Sequence, residues 1–228
     1  MANAALITGG SSGIGLAIAR ALREDGFAIT LAARRREKVE GAAAELDAHA
    51  VAADVSNEDD CRRLVEEHLD RHGRLDVLVN SAGVGVAGRI DELQPKYLDL
   101  QLDVNLRGLM LVTAAALPSL RETRGLIVNL ASIAGTVAAA HLPVYAASKA
   151  AVISFTRSLN EAEEEHGVRA TALSPGFVDT PMAQWSGLGP DEMIQPEDCA
   201  KVVRLLLKLS PRARIPNVVI ERLGEGFA

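Results

Sequence analysis

Two side chains suited to proton transfer stand four residues apart, in the segment Tyr145-Ala146-Ala147-Ser148-Lys149. The residues that follow, Ala150 to Leu159, keep a helical pattern, so the phenol and the ammonium are expected on one helix face, one turn apart. A nearby ammonium favours the phenolate and should draw a tyrosine pKa down from about 10. A tyrosine so placed can pass protons to and from an alcohol or carbonyl oxygen. Tyr-x-x-x-Lys alone is a common surface pair. It gains chemical meaning only if the chain also supplies a hydride donor.

The N-terminal segment is built to hold one. Ala4 to Thr8 is an apolar strand, followed by Gly9-Gly10-Ser11-Ser12-Gly13-Ile14-Gly15 and then by the helix that opens with Leu16 to Leu22. In a strand, glycine turn and helix, backbone can approach a pyrophosphate while the helix N-terminus presents free N–H groups and positive dipole. The spacing Gly-x-x-x-Gly-x-Gly differs from Gly-x-Gly-x-x-Gly and points to another dinucleotide-binding lineage. The same turn also fits a Gly-x-Ser-x-Gly nucleophile elbow centred on Ser11. A hydrolase would then need an acid and a histidine, and neither His141 nor His166 has a recognisable partner.

The second strand, Phe27 to Ala32, ends in Ala33-Arg34-Arg35-Arg36. An NAD site places an acid here for the ribose 2′-hydroxyl. Arg34, with Arg35 beside it, would instead pair with a 2′-phosphate. NADP(H) is therefore expected over NAD(H). Arg36 reads as a solvated start to the helix Arg35 to Ala48.

Further elements bring more side chains to the same edge. Ala50 to Ala53 is a strand ending at Asp54-Val55, and Asn57 to His72 is a helix capped by Ser56. His68 and His72 could form a metal pair, but no third ligand is in sight. They read as part of a solvated face, and no metal is expected. Leu75 to Val79 is a strand leading into Asn80-Ser81-Ala82-Gly83. Pro95 to Thr123 is a long helical pattern in which Asn105 sits among apolar neighbours and so needs hydrogen-bond partners. Leu126 to Leu130 is a strand with Ser132 just past its end, where a hydroxyl could donate to a substrate oxygen. The helix from Leu142 to Glu165 carries Tyr145 and Lys149 and ends in a solvated Glu161–Glu165 face. Val168 to Leu173 is a strand followed by Ser174-Pro175-Gly176-Phe177-Val178-Asp179-Thr180-Pro181. Residues 181–195 read as a mobile substrate flap. A helix, Pro196 to Leu209, and a strand, Asn217 to Ile220, complete the pattern. Strand and helix alternate without linker or repeat. One α/β domain, residues 1–228, with a doubly wound parallel sheet of about seven strands, is expected.

Composition narrows the partners. Only 3% of residues are aromatic, so Ala, Leu, Val and Ile must fill the core. With net charge −6 and no basic block beyond Arg34–Arg36, nucleic acid is not an expected partner. The apolar run Leu109 to Leu120 is too short for a membrane span and holds Thr113 and Pro118. No charged leader or cleavage site precedes the first strand, and Cys61 and Cys199 have no metal spacing. Free thiols and a cytoplasmic location are expected.

Taken together, these motifs resemble the short-chain dehydrogenase/reductase family from about Ala4 to Pro181. Thr8-Gly9-x-x-x-Gly13-x-Gly15 is similar to its cofactor turn, Asp54 to its adenine-contacting acid, and Asn80-Ser81-Ala82-Gly83 to its Asn-Asn-Ala-Gly turn. Asn105, Ser132, Tyr145 and Lys149 match its active-site tetrad, and Pro175, Gly176 and Thr180 its nicotinamide cradle, with Val178 between them. The resemblance implies a Rossmann-type fold and NADPH-dependent interconversion of a small-molecule carbonyl and alcohol. It implies Tyr145 as general acid and base, and Ser132 as donor to the substrate oxygen. Lys149 would hold the nicotinamide ribose and lower the tyrosine pKa, and Asn105 would support a proton-feeding water. Cofactor contacts are implied for Gly9, Ser11, Ser12, Gly13, Ile14, Gly15, Arg34, Arg35, Asp54, Val55, Asn80, Ala82, Gly83, Tyr145, Lys149, Pro175, Gly176, Val178 and Thr180. A homodimer or homotetramer is implied too, packed through the helices bearing Asn105 and Tyr145, where Ala146, Ala147, Ala150 and Ala151 permit close approach. A non-catalytic NADPH sensor of the same fold is the alternative. Ser81 in place of the second Asn, and the Arg214–Ile220 ending, depart from the family pattern.

Overall fold

Runs such as Ala4-Ala5-Leu6-Ile7 are apolar at every position, which suits strands covered on both faces. A computed structural model, describing residues 2–224, places them so. Seven strands form one all-parallel sheet: β1 Ala4–Thr8, β2 Ala28–Ala33, β3 His49–Ala52, β4 Val77–Asn80, β5 Leu126–Leu130, β6 Arg169–Pro175 and β7 Asn217–Ile220. Their order is β3-β2-β1-β4-β5-β6-β7. Alternate side chains face opposite layers. Ile7 packs with Ile18, Val39 and Val203. Leu6 packs with Leu64, Val112 and Ile127. The first layer is thus built by α1 Gly13–Glu24, α2 Arg36–Leu46 and α7 Pro196–Leu207, and the second by α3 Glu58–His72, α4 Pro95–Leu102, α5 Leu109–Thr123 and α6 Pro143–Ala162. The direction of winding reverses between β1 and β4. Ligands of open α/β sheets bind in the crevice beyond the strand ends at such a point.

The sheet is as expected, and several local features differ. The Pro95–Thr123 pattern is not one α-helix: a π turn, Asp103–Gly108, separates α4 from α5. The whole stretch is long and apolar enough to cross a bilayer by length and composition, with 44% of its most apolar window buried. Val112, Ala116 and Leu120 on α5 belong to the core. Asn57, not Ser56, caps α3, its Oδ1 accepting from Asp60 N at 3.1 Å. Ser56 instead donates its hydroxyl to Asp54 Oδ1 at 2.7 Å. Glu163 is no part of a solvated face. It is buried and takes a two-pronged contact from Arg121 at 2.7 and 2.8 Å. The flap carries two short 3₁₀ turns, Pro181–Ser186 and Pro190–Glu192. Cys61 and Cys199 are free and buried.

His68 is likewise not solvated. It is fully buried, with its ring nitrogens 2.8 Å from Thr30 Oγ1 and 3.0 Å from the Arg74 carbonyl. It therefore fastens α3 to β2, and His72 reaches the same Thr30 hydroxyl at 3.2 Å. Among the described residues, no group of three or more metal-ligating side chains gathers here or elsewhere. Burial pushes the His68 imidazole down to about 4, against about 6.5 in an unfolded chain. Between those values only the unfolded chain takes up the proton. Stability is thus fully present above pH 6.5 or so and falls as pH drops toward 4. Thermal melts should show an acid-side loss on the order of 3 kcal/mol from this group. His68→Gln should blunt that pH slope; an unchanged slope would remove His68 as its cause.

Candidate active site

Pro143 at the first turn of α6 presets the backbone for helix. Tyr145 and Lys149 follow one turn apart. Tyr145 is half-buried as a residue, but its phenol is enclosed, and it shares a hydrogen bond with Ser132. Ser132 lies past β5 and caps the 3₁₀ turn Ile133–Gly135, its Oγ accepting from Ala134 N at 3.2 Å. Gly135 allows this turn to press on α6, since a Cβ there would lie 2.7 Å from the Lys149 carbonyl carbon. Lys149 is buried. Its Nζ donates to the Leu130 carbonyl at 2.6 Å and stands 5.6 Å from the centre of the Tyr145 ring.

The electrostatics differ from the expectation. Burial pushes the Tyr145 phenol above its ordinary value, and the Ser132 hydrogen bond offsets only part of this. Burial also pushes Lys149 down to about 8. With Nζ turned to Leu130, desolvation of the phenol outweighs any help the ammonium gives to the phenolate. The phenol thus holds its proton firmly at neutral pH.

Asn105 sits in the π turn, fully buried. Its Nδ2 donates to the Val84 carbonyl at 2.8 Å and to Ser148 Oγ at 3.1 Å, and its Oδ1 accepts from Val84 N at 2.8 Å. Ser148 in turn donates to the Tyr145 carbonyl at 2.7 Å. Asn105 thereby ties the loop after β4 to the helix that carries the tyrosine. Both Nδ2 protons are spent on protein acceptors.

Beyond β1 the glycine turn opens a cavity of about 740 Å³, lined by Gly9, Ser11, Ser12, Gly13, Ile14, Arg34, Arg35, Asp54, Val55, Ala82, Gly83 and Thr180 among others. Gly9 has φ +64°, and a Cβ there would lie 2.7 Å from the Ser81 carbonyl oxygen. Thr8 Oγ1 anchors the neighbouring turn by accepting from Ser81 N and Ala82 N, each at 3.2 Å. Two predicted contacts, Gly15 and Asn80, line neither this cavity nor the one beside it. Gly15 packs α1 against the glycine turn, where a Cβ would meet Gly9 O at 2.6 Å. Asn80 is buried and bonds Thr113 and Asn129 at 3.0 and 2.9 Å.

This cavity suits an anionic dinucleotide. The first turn of α1 contains no acid, and Ser12 makes no side-chain cap bond, so the helix end keeps its donors. Among the described residues, the Arg34 and Arg35 side chains have no hydrogen-bond or ion-pair partner, whereas Arg36 pairs with Glu40 at 3.2 Å. Ser11 has no histidine partner among those residues, and His166 faces Glu163 at 3.3 Å, so nothing assembles a hydrolase triad.

A second cavity, of about 490 Å³, adjoins the first through Ile14, Ser81, Gly83, Thr180 and Met182. Ser132, Tyr145, Lys149, Pro175, Gly176 and Val178 lie on its wall. So do Val86, Ala87, Val137, Ala138, Leu142 and Phe177, none of them foreseen as site residues, and Trp185 of the expected flap. Apolar types in loops carry no signal that separates a pocket wall from ordinary packing.

Residues 3–189 match the family model described as short chain dehydrogenase. The chain belongs to this family. Short-chain dehydrogenases are oxidoreductases, and the curated relatives carry that description. An uncharacterized oxidoreductase of Staphylococcus epidermidis is 34% identical over 219 residues, covering 95% of each chain. One from Staphylococcus aureus is 33% identical over 220 residues, again covering 95% of each. Among solved structures, an alcohol dehydrogenase from Thermococcus sibiricus complexed with 5-hydroxy-NADP superposes with TM-score 0.90 at 32% identity, covering 96% of both chains. A variant of actinorhodin polyketide ketoreductase with NADPH gives 0.88 at 30% identity, covering 96% of this chain and 95% of that one. The 3-ketoacyl-(acyl-carrier-protein) reductase of Brucella melitensis, complexed with NADH, gives 0.88 at 28% identity, covering 96% of both.

Proposed function

We propose that this short-chain dehydrogenase interconverts a carbonyl and an alcohol with a nicotinamide cofactor, and prefers NADP(H). One observation carries the reading. Ser132, Tyr145 and Lys149 line a cleft that runs directly into the cavity bearing the glycine turn and two unpartnered arginines. When bound, the cofactor supplies the hydride. Ser132 and Tyr145 then hold the carbonyl oxygen between two hydroxyls, and Tyr145 gives its proton as negative charge develops there. Lys149 stabilises the phenolate left behind. Asn105 and Ser148 fix the backbone of α6 at the tyrosine. The half-exposed and exposed alanines of α6, with the helices bearing Asn105, are the surface through which a homodimer or homotetramer would form.

NADPH is favoured because Arg34 and Arg35 can take a 2′-phosphate and no acid replaces them on the wall of that cavity except Asp54, whose Oδ1 accepts from Ser56 N and Oγ. A nucleotide-fluorescence titration tests this. NADPH should bind at least about tenfold more tightly than NADH, or about 1.4 kcal/mol, and Arg34→Ala should remove most of the difference. Equal or tighter NADH binding would reduce Arg34 to surface charge. Binding of neither would undo the oxidoreductase reading.

A further inference from the structure

The polar side chains of the second cavity are Ser81, Ser132, Tyr145, Lys149 and Thr180. All belong to the reacting centre or to the seam with the first cavity. Lys149 is the one charged residue among those lining it, and its Nζ is already bonded to Leu130 O. Apart from the indole N–H of Trp185, every other lining side chain is apolar, with Leu142, Phe177, Met182 and Trp185 among the largest. A carboxylate or phosphate on the substrate would lose its hydration here and gain no partner. The volume of about 490 Å³ is that of a small-molecule site.

The mouth adds a second observation. Trp185 is 60% exposed and Met182 44% exposed, both on the 3₁₀ turn of the flap. Trp185 leans edge-on against Phe177, ring centres 5.9 Å apart. The largest apolar side chain of the protein therefore stands at the pocket rim with much of its surface in water. An apolar group bound beneath it would cover that surface.

We propose that the substrate is an uncharged ketone with apolar groups on both sides of the carbonyl, or the matching secondary alcohol, and that Trp185 covers it from the flap. The proposal rests on the reading of Tyr145 as proton donor. In the reductive direction the ketone carbon gains hydride from NADPH, the oxygen gains the Tyr145 proton, and NADP⁺ and the secondary alcohol leave.

Trp185 is the only tryptophan in the chain, so binding can be read apart from turnover. The probes are decalone (a saturated bicyclic ketone), oxoglutarate (a dicarboxylate) and dihydroxyacetone (small and polar). Each is added to the NADPH-loaded protein while tryptophan emission and NADPH consumption are followed. Decalone should change the emission saturably and be reduced with a kcat/KM at least tenfold above the other two. Saturable binding of decalone without turnover would support the apolar pocket and sink the reductase reading instead. Turnover confined to oxoglutarate or dihydroxyacetone would overturn the proposal and leave the reductase reading standing. No emission change and no turnover with decalone would also overturn it. Val86→Asp should raise the KM for decalone about tenfold without altering NADPH affinity; Ala138→Asp serves the same purpose should the first variant not fold. An unchanged KM in a folded variant would count against the proposal.

Discussion

Tyr145→Phe should lower kcat by about 10²–10⁴-fold, the range general acid catalysis typically contributes, and leave NADPH affinity unchanged. The substitution keeps the ring and the helix and removes only the phenolic hydroxyl with its Ser132 contact. A stopped-flow assay with NADPH separates binding from reduction. A loss of cofactor binding would mean that the hydroxyl holds the cofactor rather than serving the chemistry alone. Full retention of kcat would mean that another group donates the proton, whereas NADPH binding with no turnover in either form would favour a protein that binds NADPH without acting on it. The pH profile carries a second signature. The phenol stays protonated well past neutrality, because burial holds its pKa up. Lys149 loses its charge as pH rises through about 8. Reduction in the wild type should therefore decline above about pH 8, before the phenol itself ionises.

Arg121→Ala should destabilise the fold by stranding a buried carboxylate. Glu163 has only 4% of its side chain exposed, and Arg121 meets it with two parallel hydrogen bonds. The arginine holds that carboxyl below the usual glutamate range. Removing the arginine strands the buried carboxylate, while the 41% exposure of Arg121 lets solvent screen part of the pair, so the loss falls between that of a surface pair and that of a fully buried one. His166 Nδ1 also lies 3.3 Å from Glu163. In a thermal melt at neutral pH, Arg121→Ala should show a measurable fall in Tm below that of the wild type. Adding Glu163→Gln should recover most of it, because the stranded charge is gone. The depressed carboxyl pKa sets the sign with pH: the pair stabilises fully above the usual glutamate value, and that stability is lost as pH falls from there through the lower folded value. A fall in Tm that the double variant shares would locate the effect in lost packing rather than charge.

Much of this architecture could be read from residue order because each part has a local cause. Tyr145 and Lys149 share a face because α6 is an ordinary helix, and the glycine turn announces itself by residue type. What could not be read depends on distant contacts. His68 and Glu163 are polar residues on helices, and polarity on a helix reads as solvent; only β2 and α5 make them buried. Asn105 was expected to need partners, but Val84 and Ser148 are 21 and 43 residues away. Ser56 and Asn57 are equally good caps on paper, and Asp54 decides between them by taking the serine. The apolar wall around Trp185 was invisible, since valine and alanine look the same beside a ligand as beside another strand. The lowered tyrosine pKa failed for a related reason: spacing gives proximity but not desolvation.

The π turn between α4 and α5 has a bearing on how this protein could lose its chemistry. A π turn holds one residue more than an α turn, so everything beyond it is rotated by about a quarter of a circle relative to a regular helix. Two helical halves with separate phases meet at Asn105, and the extra residue is what lets a buried amide leave the regular ladder and face Val84. Deleting a single residue there would let α4 and α5 merge in one phase. The amide would swing off Val84 and Ser148, and the helix that carries Tyr145 would lose that tie.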